Sequence, residues 1–307
     1  MQMEFLDFKG VRRFLMAAIL FFSIAGIAFG QSESVLLMKE RAKVRDVVLT
    51  PYIAENNSSG VSVIVCPGGS YCWHDYETEG VSVAKWLNSQ GISAFVLKYH
   101  VIGFWSFLTH DRAIFPRNVH PDMITDLQMA IAHVRKNHEL YKIDPNKLGV
   151  MGFSAGGHLV MSSVIFAGTN FISNGDENLE VDLKPNFIAP IYPVVTFVNE
   201  EFVHKRSRRA LLGEGKRHIG KLKDSLSLEM RVPDDCPPVF LMNCKDDPIV
   251  KYQNSILLDS VLTAKNINHK YILYNTGGHG FGADSTKTTK EAIQWKSEFM
   301  QWLETIL

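Results

Sequence analysis

Excess charge of either sign is missing: 32 basic side chains are matched by 32 acidic ones, which removes the electrostatic reason to expect a nucleic-acid partner. Cysteine is scarce. Cys66, Cys72, Cys236 and Cys244 are all there is in 307 residues, too few for a disulfide-built fold, so the thiols are expected free and the core apolar. No His-Glu-x-x-His and no His/Cys cluster with ligand spacing occurs, so neither metal nor cofactor is expected. There is no internal repeat, and a composition 46% hydrophobic excludes a disordered chain. Long apolar runs are absent but for one. Arg12-Arg13 precedes the run Phe14 to Phe29, which closes on Ala28-Phe29-Gly30 before Gln31. A basic segment, an apolar segment and small residues at alternate positions describe a secretory signal peptide over residues 1–30. The run is short for a membrane span. The expectation is a single domain over 31–307, secreted or periplasmic, with no stable membrane span after cleavage.

What is present alternates between two periodicities. Val44 to Thr50, Val61 to Cys66, Ala94 to Tyr99, Phe187 to Ile191, Val239 to Asn243 and Lys270 to Tyr274 read as strands. Thr78 to Leu87, Asp122 to Asn137, Asn254 to Ala264 and Lys290 to Ile306 read as helices, Val81, Ala84 and Leu87 lining one stripe of the first. Strands alternating with helices predict an α/β fold, a mostly parallel central sheet flanked by helices. Two stretches interrupt the alternation. Val101 to Pro121 is irregular and aromatic. Pro193 to Pro238 holds, between Val203 and Lys223, eight Lys or Arg residues against the single acid Glu214. Both follow strand ends, where open α/β sheets place ligands, so both are expected to form the cleft.

Gly152-Phe153-Ser154-Ala155-Gly156 follows the apolar run Lys147 to Met151 and precedes a helical stretch from Gly157 to Ala167. A serine between strand and helix sits on a sharp turn that lifts its hydroxyl above the sheet edge, and the glycines let strand and helix approach. A serine nucleophile needs a base and an acid that orients the base, and in this strand-turn-helix order both follow the serine. Of the later histidines, His158 points away along the helix, His204 and His218 sit in the basic stretch, and His269 lies at the wrong end of its strand. His279, within Gly277-Gly278-His279-Gly280-Phe281-Gly282, follows the last strand in a loop tight enough to deliver an imidazole. The acid is Asp246 or Asp247, after Val239 to Asn243. Charge on a carbonyl oxygen calls for two backbone N–H donors. Ala155 is one. The other is expected from Pro67-Gly68-Gly69-Ser70-Tyr71, Gly69 first and Ser70 second. That loop lacks the Lys-Ser/Thr end of a phosphate-binding loop.

These segments, with Gly80, Ala84-Lys85-Trp86-Leu87, His120-Pro121 before Asp126, Tyr192-Pro193 and Asp246-Asp247-Pro248-Ile249-Val250, resemble the α/β-hydrolase superfamily. Within it they are similar to secreted bacterial esterases of the acetyl xylan and feruloyl esterase kind, over about Val44 to Leu307. The resemblance implies Ser154, Asp247 and His279 as a catalytic triad and Gly69 and Ala155 as the oxyanion hole. It implies acyl transfer on acetyl or feruloyl esters of carbohydrate such as xylan, an acylated oligosaccharide being the partner. Pro67-Gly68-Gly69-Ser70 stands where lipase-like relatives carry His-Gly-Gly-Gly, which sets the chain nearer the polysaccharide esterases. Ser70, Tyr71, Trp73 and Trp105 are candidate cleft residues, the tryptophans offering faces to sugar rings. A small-ester carboxylesterase and a serine peptidase on the same fold are the competing readings. A non-enzymatic binding protein is a third, against which the intact serine, acid and histidine speak.

Overall fold

The computed structural model describes residues 32–38, 46–103, 108, 119–172 and 181–307. The expected signal peptide over 1–30, Trp105 and most of the aromatic stretch around it lie outside the described residues.

Four apolar runs form the centre of the sheet: β3 (Ser62–Cys66), β5 (Leu148–Phe153), β6 (Phe187–Ile191) and β7 (Val239–Cys244) are buried at every position. Strands covered on both faces have no solvent side, hence no alternation of polar and apolar residues. β1 (Val35–Met38), β2 (Val47–Tyr52), β4 (Ser93–Lys98) and β8 (His269–Tyr274) complete an eight-stranded sheet of order β1-β2-β4-β3-β5-β6-β7-β8. β2 runs antiparallel to both its neighbours and every other pairing is parallel. β8, at the edge, is half-buried at all but its last position.

Two apolar layers cover the two faces. Val83, Ala84 and Leu87 of α1 (Ser82–Ser89) join Trp295, Phe299, Trp302 and Leu303 of α6 (Trp295–Ile306) in one. α2 (Asp122–Lys136), α3 (Ala155–Ile165) and α5 (Gln253–Ala264) supply the other, with Leu127, Ile131, Leu159, Val160, Leu258 and Leu262. Burying each such side chain contributes about 1.5–3 kcal/mol, so the sheet is a rigid platform for the loops at its carboxyl edge. α4 (Lys205–Leu212) lies in the basic stretch. The expected mostly parallel sheet flanked by helices therefore holds.

Boundaries differ where local chemistry intervenes. The helix expected from Thr78 begins earlier, as a π-helical turn over Tyr76–Val81, because the Asp75 carboxylate accepts from Thr78 N and caps it. The helix after Ser154 begins at Ala155, two residues before Gly157. The strand expected from Val44 is β2, shifted to Val47–Tyr52, residues 44 and 45 being outside the described set. Lys290 to Ile306 divides into a 3₁₀ turn, Ala292–Gln294, and α6. Among the described residues no helix is long and apolar enough to cross a membrane.

Candidate active site

Ser154 leaves β5 with φ +54° and ψ −117° and starts α3. A non-glycine residue in that region is strained, at a cost of about 1–3 kcal/mol, and persists only where its surroundings hold it. Here they do: Ser154 N donates to Ile191 O at 3.0 Å, and Ser154 O accepts from Val194 N at 3.1 Å. The flanking glycines have steric reasons. A Cβ on Gly156 would lie 2.1 Å from Cys66 O, and one on Gly152 would lie 2.3 Å from Gly156 O. The elbow is legible in the sequence because only glycine fits both places.

His279 is carried on the loop after β8, where Gly277, Gly278, Gly280 and Gly282 all have positive φ. Its Nδ1 lies 2.6 Å from Asp247 Oδ2. A carboxylate oxygen accepts, so Nδ1 donates and Nε2 keeps its lone pair, the tautomer a general base needs. Asp247 Oδ1 accepts from Ile249 N and Val250 N at 2.8 and 2.9 Å. The Asp247 side chain is fully buried and that of His279 is 10% exposed, which keeps water from competing for the contact. Asp246 has a different partner. It accepts from Gly277 N and Gly278 N at 3.1 and 2.9 Å, so it pins the backbone of the histidine loop while Asp247 meets the imidazole. Tyr192 packs beside both segments, its ring 4.6 Å from that of His279 and 5.8 Å from that of Phe153, the residue before Ser154.

The loop after β3 packs on the serine. A Cβ on Gly68 would be 3.0 Å from Ser154 Cβ, and one on Gly69, at φ +129°, would be 2.2 Å from Trp73 O. Gly69 O accepts from Cys72 N and Trp73 N at 2.9 and 3.1 Å, turning the loop back on itself. Ser70 and Tyr71 both have positive φ, 60° and 61°. Tyr71 departs from its expected place on the cleft: it is 1% exposed and its hydroxyl donates to His158 Nδ1 at 2.8 Å. The reason lies in the tautomer. His158 Nε2 is 2.9 Å from Leu226 O, a carbonyl that only accepts, so Nε2 carries the proton and Nδ1 is left as an acceptor. Burial pushes the His158 pKa down to about 4, so the ring stays neutral in this role.

Trp73 is half-buried, and the Arg206 guanidinium lies over its ring, 5.7 Å from the centroid. His204, from the same basic stretch, faces His279. Burial, then the charges of His279 and Arg206, push its pKa down to about 4, and its Nδ1 meets Ser207 Oγ at 2.7 Å. The second interruption of the α/β alternation thus reaches the site. Below it lies Glu79, 2% exposed. Burial pushes its pKa up to about 7, against the opposing influence of His279 and of its hydrogen bonds.

Sequence reasoning passed over Glu79, Tyr192 and His204. Tyr192-Pro193 stood among the matched segments without a role, and Glu79 sits in a helix start where an acid ordinarily faces water, so only Gly80 beside it hinted at close packing. Among the described residues no group of three or more His, Cys, Asp or Glu could hold a metal ion.

The sequence model of a family described as BD-FAE matches residues 52–262. An acetylxylan esterase from Xylanibacter ruminicola is 29% identical over 96% of this chain and 55% of its own length. The endo-1,4-beta-xylanase B of Butyrivibrio fibrisolvens is 31% identical over 76% of this chain and 34% of its own. The chain therefore spans about half of one of these curated relatives and a third of the other. A solved structure described as an acetyl ester-xyloside bifunctional hydrolase, from Caldicellulosiruptor lactoaceticus, superposes with a TM-score of 0.74 at 32% identity, covering 92% of this chain and 98% of that one.

Proposed function

The chain belongs to the BD-FAE family, and on that premise we propose that it is a serine esterase that removes acetyl or feruloyl groups from carbohydrate such as xylan. The observation that carries the reading is the 2.6 Å contact of His279 Nδ1 with a buried Asp247 carboxylate, in a chain whose elbow serine is held at φ +54°. The acetylxylan esterase and xyloside-hydrolase relatives support the carbohydrate substrate.

In the proposed reaction His279 Nε2 takes the Ser154 proton as Oγ attacks the ester carbonyl, and Asp247 holds the ring and favours the imidazolium. The N–H groups of Gly69 and Ala155 stabilise the oxyanion. The sugar hydroxyl leaves with the His279 proton. Water, deprotonated by the same ring, then releases the acid and frees Ser154. Trp73 and Ser70 are assigned to the cleft. Export follows from Arg12-Arg13, the run Phe14 to Phe29 and the small residues before Gln31, with cleavage at residue 30 leaving 31–307 as the catalytic unit. N-terminal sequencing of the exported protein is expected to begin at Gln31.

Ser154→Ala is expected to fold and to lose nearly all hydrolysis of an aryl acetate, while a serine-directed phosphonate labels Ser154 in the wild type. A folded variant keeping more than about a tenth of kcat removes the serine from its role. An acetylated xylo-oligosaccharide is expected to be hydrolysed with a higher kcat/KM than an alkyl acetate. Equal or lower values make the protein a small-ester carboxylesterase, and cleavage of a peptide amide alone makes it a peptidase.

A further inference from the structure

Among the described residues, Glu79 is the one buried carboxylate near the site with no role in the reaction as written above. Both of its oxygens are engaged. Oε2 accepts from Gly68 N at 2.7 Å, and Oε1 accepts from the Tyr192 hydroxyl at 2.8 Å. That hydroxyl in turn accepts from Gly282 N at 3.0 Å. Gly68 belongs to the loop that abuts Ser154, and Gly282 closes the loop that carries His279. One carboxylate therefore joins the two loops that must meet over the ester, through two hydrogen bonds on one side and one on the other.

We propose that Glu79 is a positioning residue that holds the oxyanion loop and the histidine loop in one register and supplies a second negative charge that favours the imidazolium of His279. The proposal rests on the esterase reading of the site. Its physical basis is the choice of residue. The donors at Glu79 are a backbone N–H and a phenol, both neutral, and a neutral acceptor could hold them without the cost of burying a charge. Among the described groups facing Glu79, namely Asp75, Tyr99, Tyr192 and His279, only His279 can become a cation. His279 itself is faced by Asp247, His204, Tyr192 and Glu79. Of these His204 opposes the imidazolium and the two carboxylates favour it. Burial raises the Glu79 pKa and the His279 charge lowers it, and the Tyr192 ring whose hydroxyl binds Glu79 lies 4.6 Å from the imidazole.

The test uses the full chain with Glu79→Gln and Tyr192→Phe, both read on p-nitrophenyl acetate from pH 5 to 9. Glu79→Gln keeps the shape and removes the charge. It is expected to lower kcat on the order of 10- to 100-fold with KM little changed, and to move the acid limb of the kcat/KM profile down by at least about half a pH unit. Tyr192→Phe removes the O–H that favours ionised Glu79, so the limb is expected to move the same way by less, and this variant carries the test if the first does not fold. Titration of the His279 ring by NMR is expected to show the same displacement without any substrate. An acid limb and an imidazole titration coincident with wild type in the folded variants reduce Glu79 to a brace and overturn the proposal. Absence of ester turnover and of phosphonate labelling in the wild type overturns the esterase reading instead, and the NMR titration still decides on Glu79.

Discussion

At the scale of single residues, the neighbouring acids Asp246 and Asp247 separate cleanly by partner. Asp247 is bonded to the imidazole and to its own turn, Asp246 to the backbone of Gly277 and Gly278. Asp247→Asn replaces an acceptor by a group that can present N–H to Nδ1, which favours the wrong ring tautomer. It is expected to cost on the order of 10²- to 10⁴-fold in kcat with the fold intact. Asp246→Asn leaves the ring untouched and weakens two backbone contacts, an expected loss of about 1–2 kcal/mol in urea unfolding with a smaller fall in kcat. The larger kinetic loss at Asp246 would reverse the assignment. Ser154 and His279 were legible in the sequence because glycines marked their loops. Glu79 and Tyr192 were not, because a buried hydrogen bond between residues 113 positions apart leaves no local pattern.

At the scale of elements, β3, β5 and α3 meet at the elbow with no room to spare. Gly156→Ala would set a methyl group 2.1 Å from Cys66 O, a backbone atom that cannot swing aside as a side chain would. The expected cost is about 3 kcal/mol or more in urea unfolding, with loss of ester hydrolysis. Retention of wild-type stability would mean that the helix and β3 are farther apart than described. The strands were legible as apolar runs because burial on both faces writes itself into every position of β3, β5, β6 and β7. Helix starts were less legible. The capping carboxylate of Asp75 lies before the apolar stripe it serves, so periodicity alone places the start late.

At the scale of the whole molecule, buried histidines set the acid limit of stability. Burial first, then neighbouring positive groups, pushes His120, His158 and His204 each down to about 4. Burial of His158 is opposed only by its bond to Leu226 O. A group whose folded pKa is depressed adds stability that is present above its unfolded value, near 6.5, and lost as pH falls through 4. Glu79, raised to about 7, has the opposite sign: its contribution is full below its ordinary value of 4.5 and fades as pH rises through 7. Near pH 5 these three histidines outweigh Glu79 by about two protons, so their joint contribution is expected to fall by roughly 2–3 kcal/mol per pH unit on acidification, offset in part by Asp126 and Glu229, whose carboxyls burial also raises. Urea midpoints between pH 7 and 4.5 check this, and a flat profile would mean that these rings titrate alike in the folded and unfolded chain. The mostly parallel sheet flanked by helices was legible at this scale, since alternating periodicity leaves few topologies. The reach of the basic stretch to the site was not, because α4 declares its charges and not its neighbours.

The neutral ring of His158 has one further consequence. Its Nδ1 accepts a hydrogen bond from the Tyr71 hydroxyl, in the loop beside the serine, and its Nε2 donates one to Leu226 O, in the long excursion between β6 and β7. A histidine in this state has one donor and one acceptor, and both are spoken for across two segments 155 positions apart in the chain. The excursion therefore cannot be exchanged as a cassette. A graft that replaces it with a shorter loop from a relative strands a buried N–H, the ring turns to find another partner, and Tyr71 loses the acceptor that holds its left-handed backbone. Diversification of the cleft, by nature or by recombination in the laboratory, must move the two segments together or replace the histidine as well.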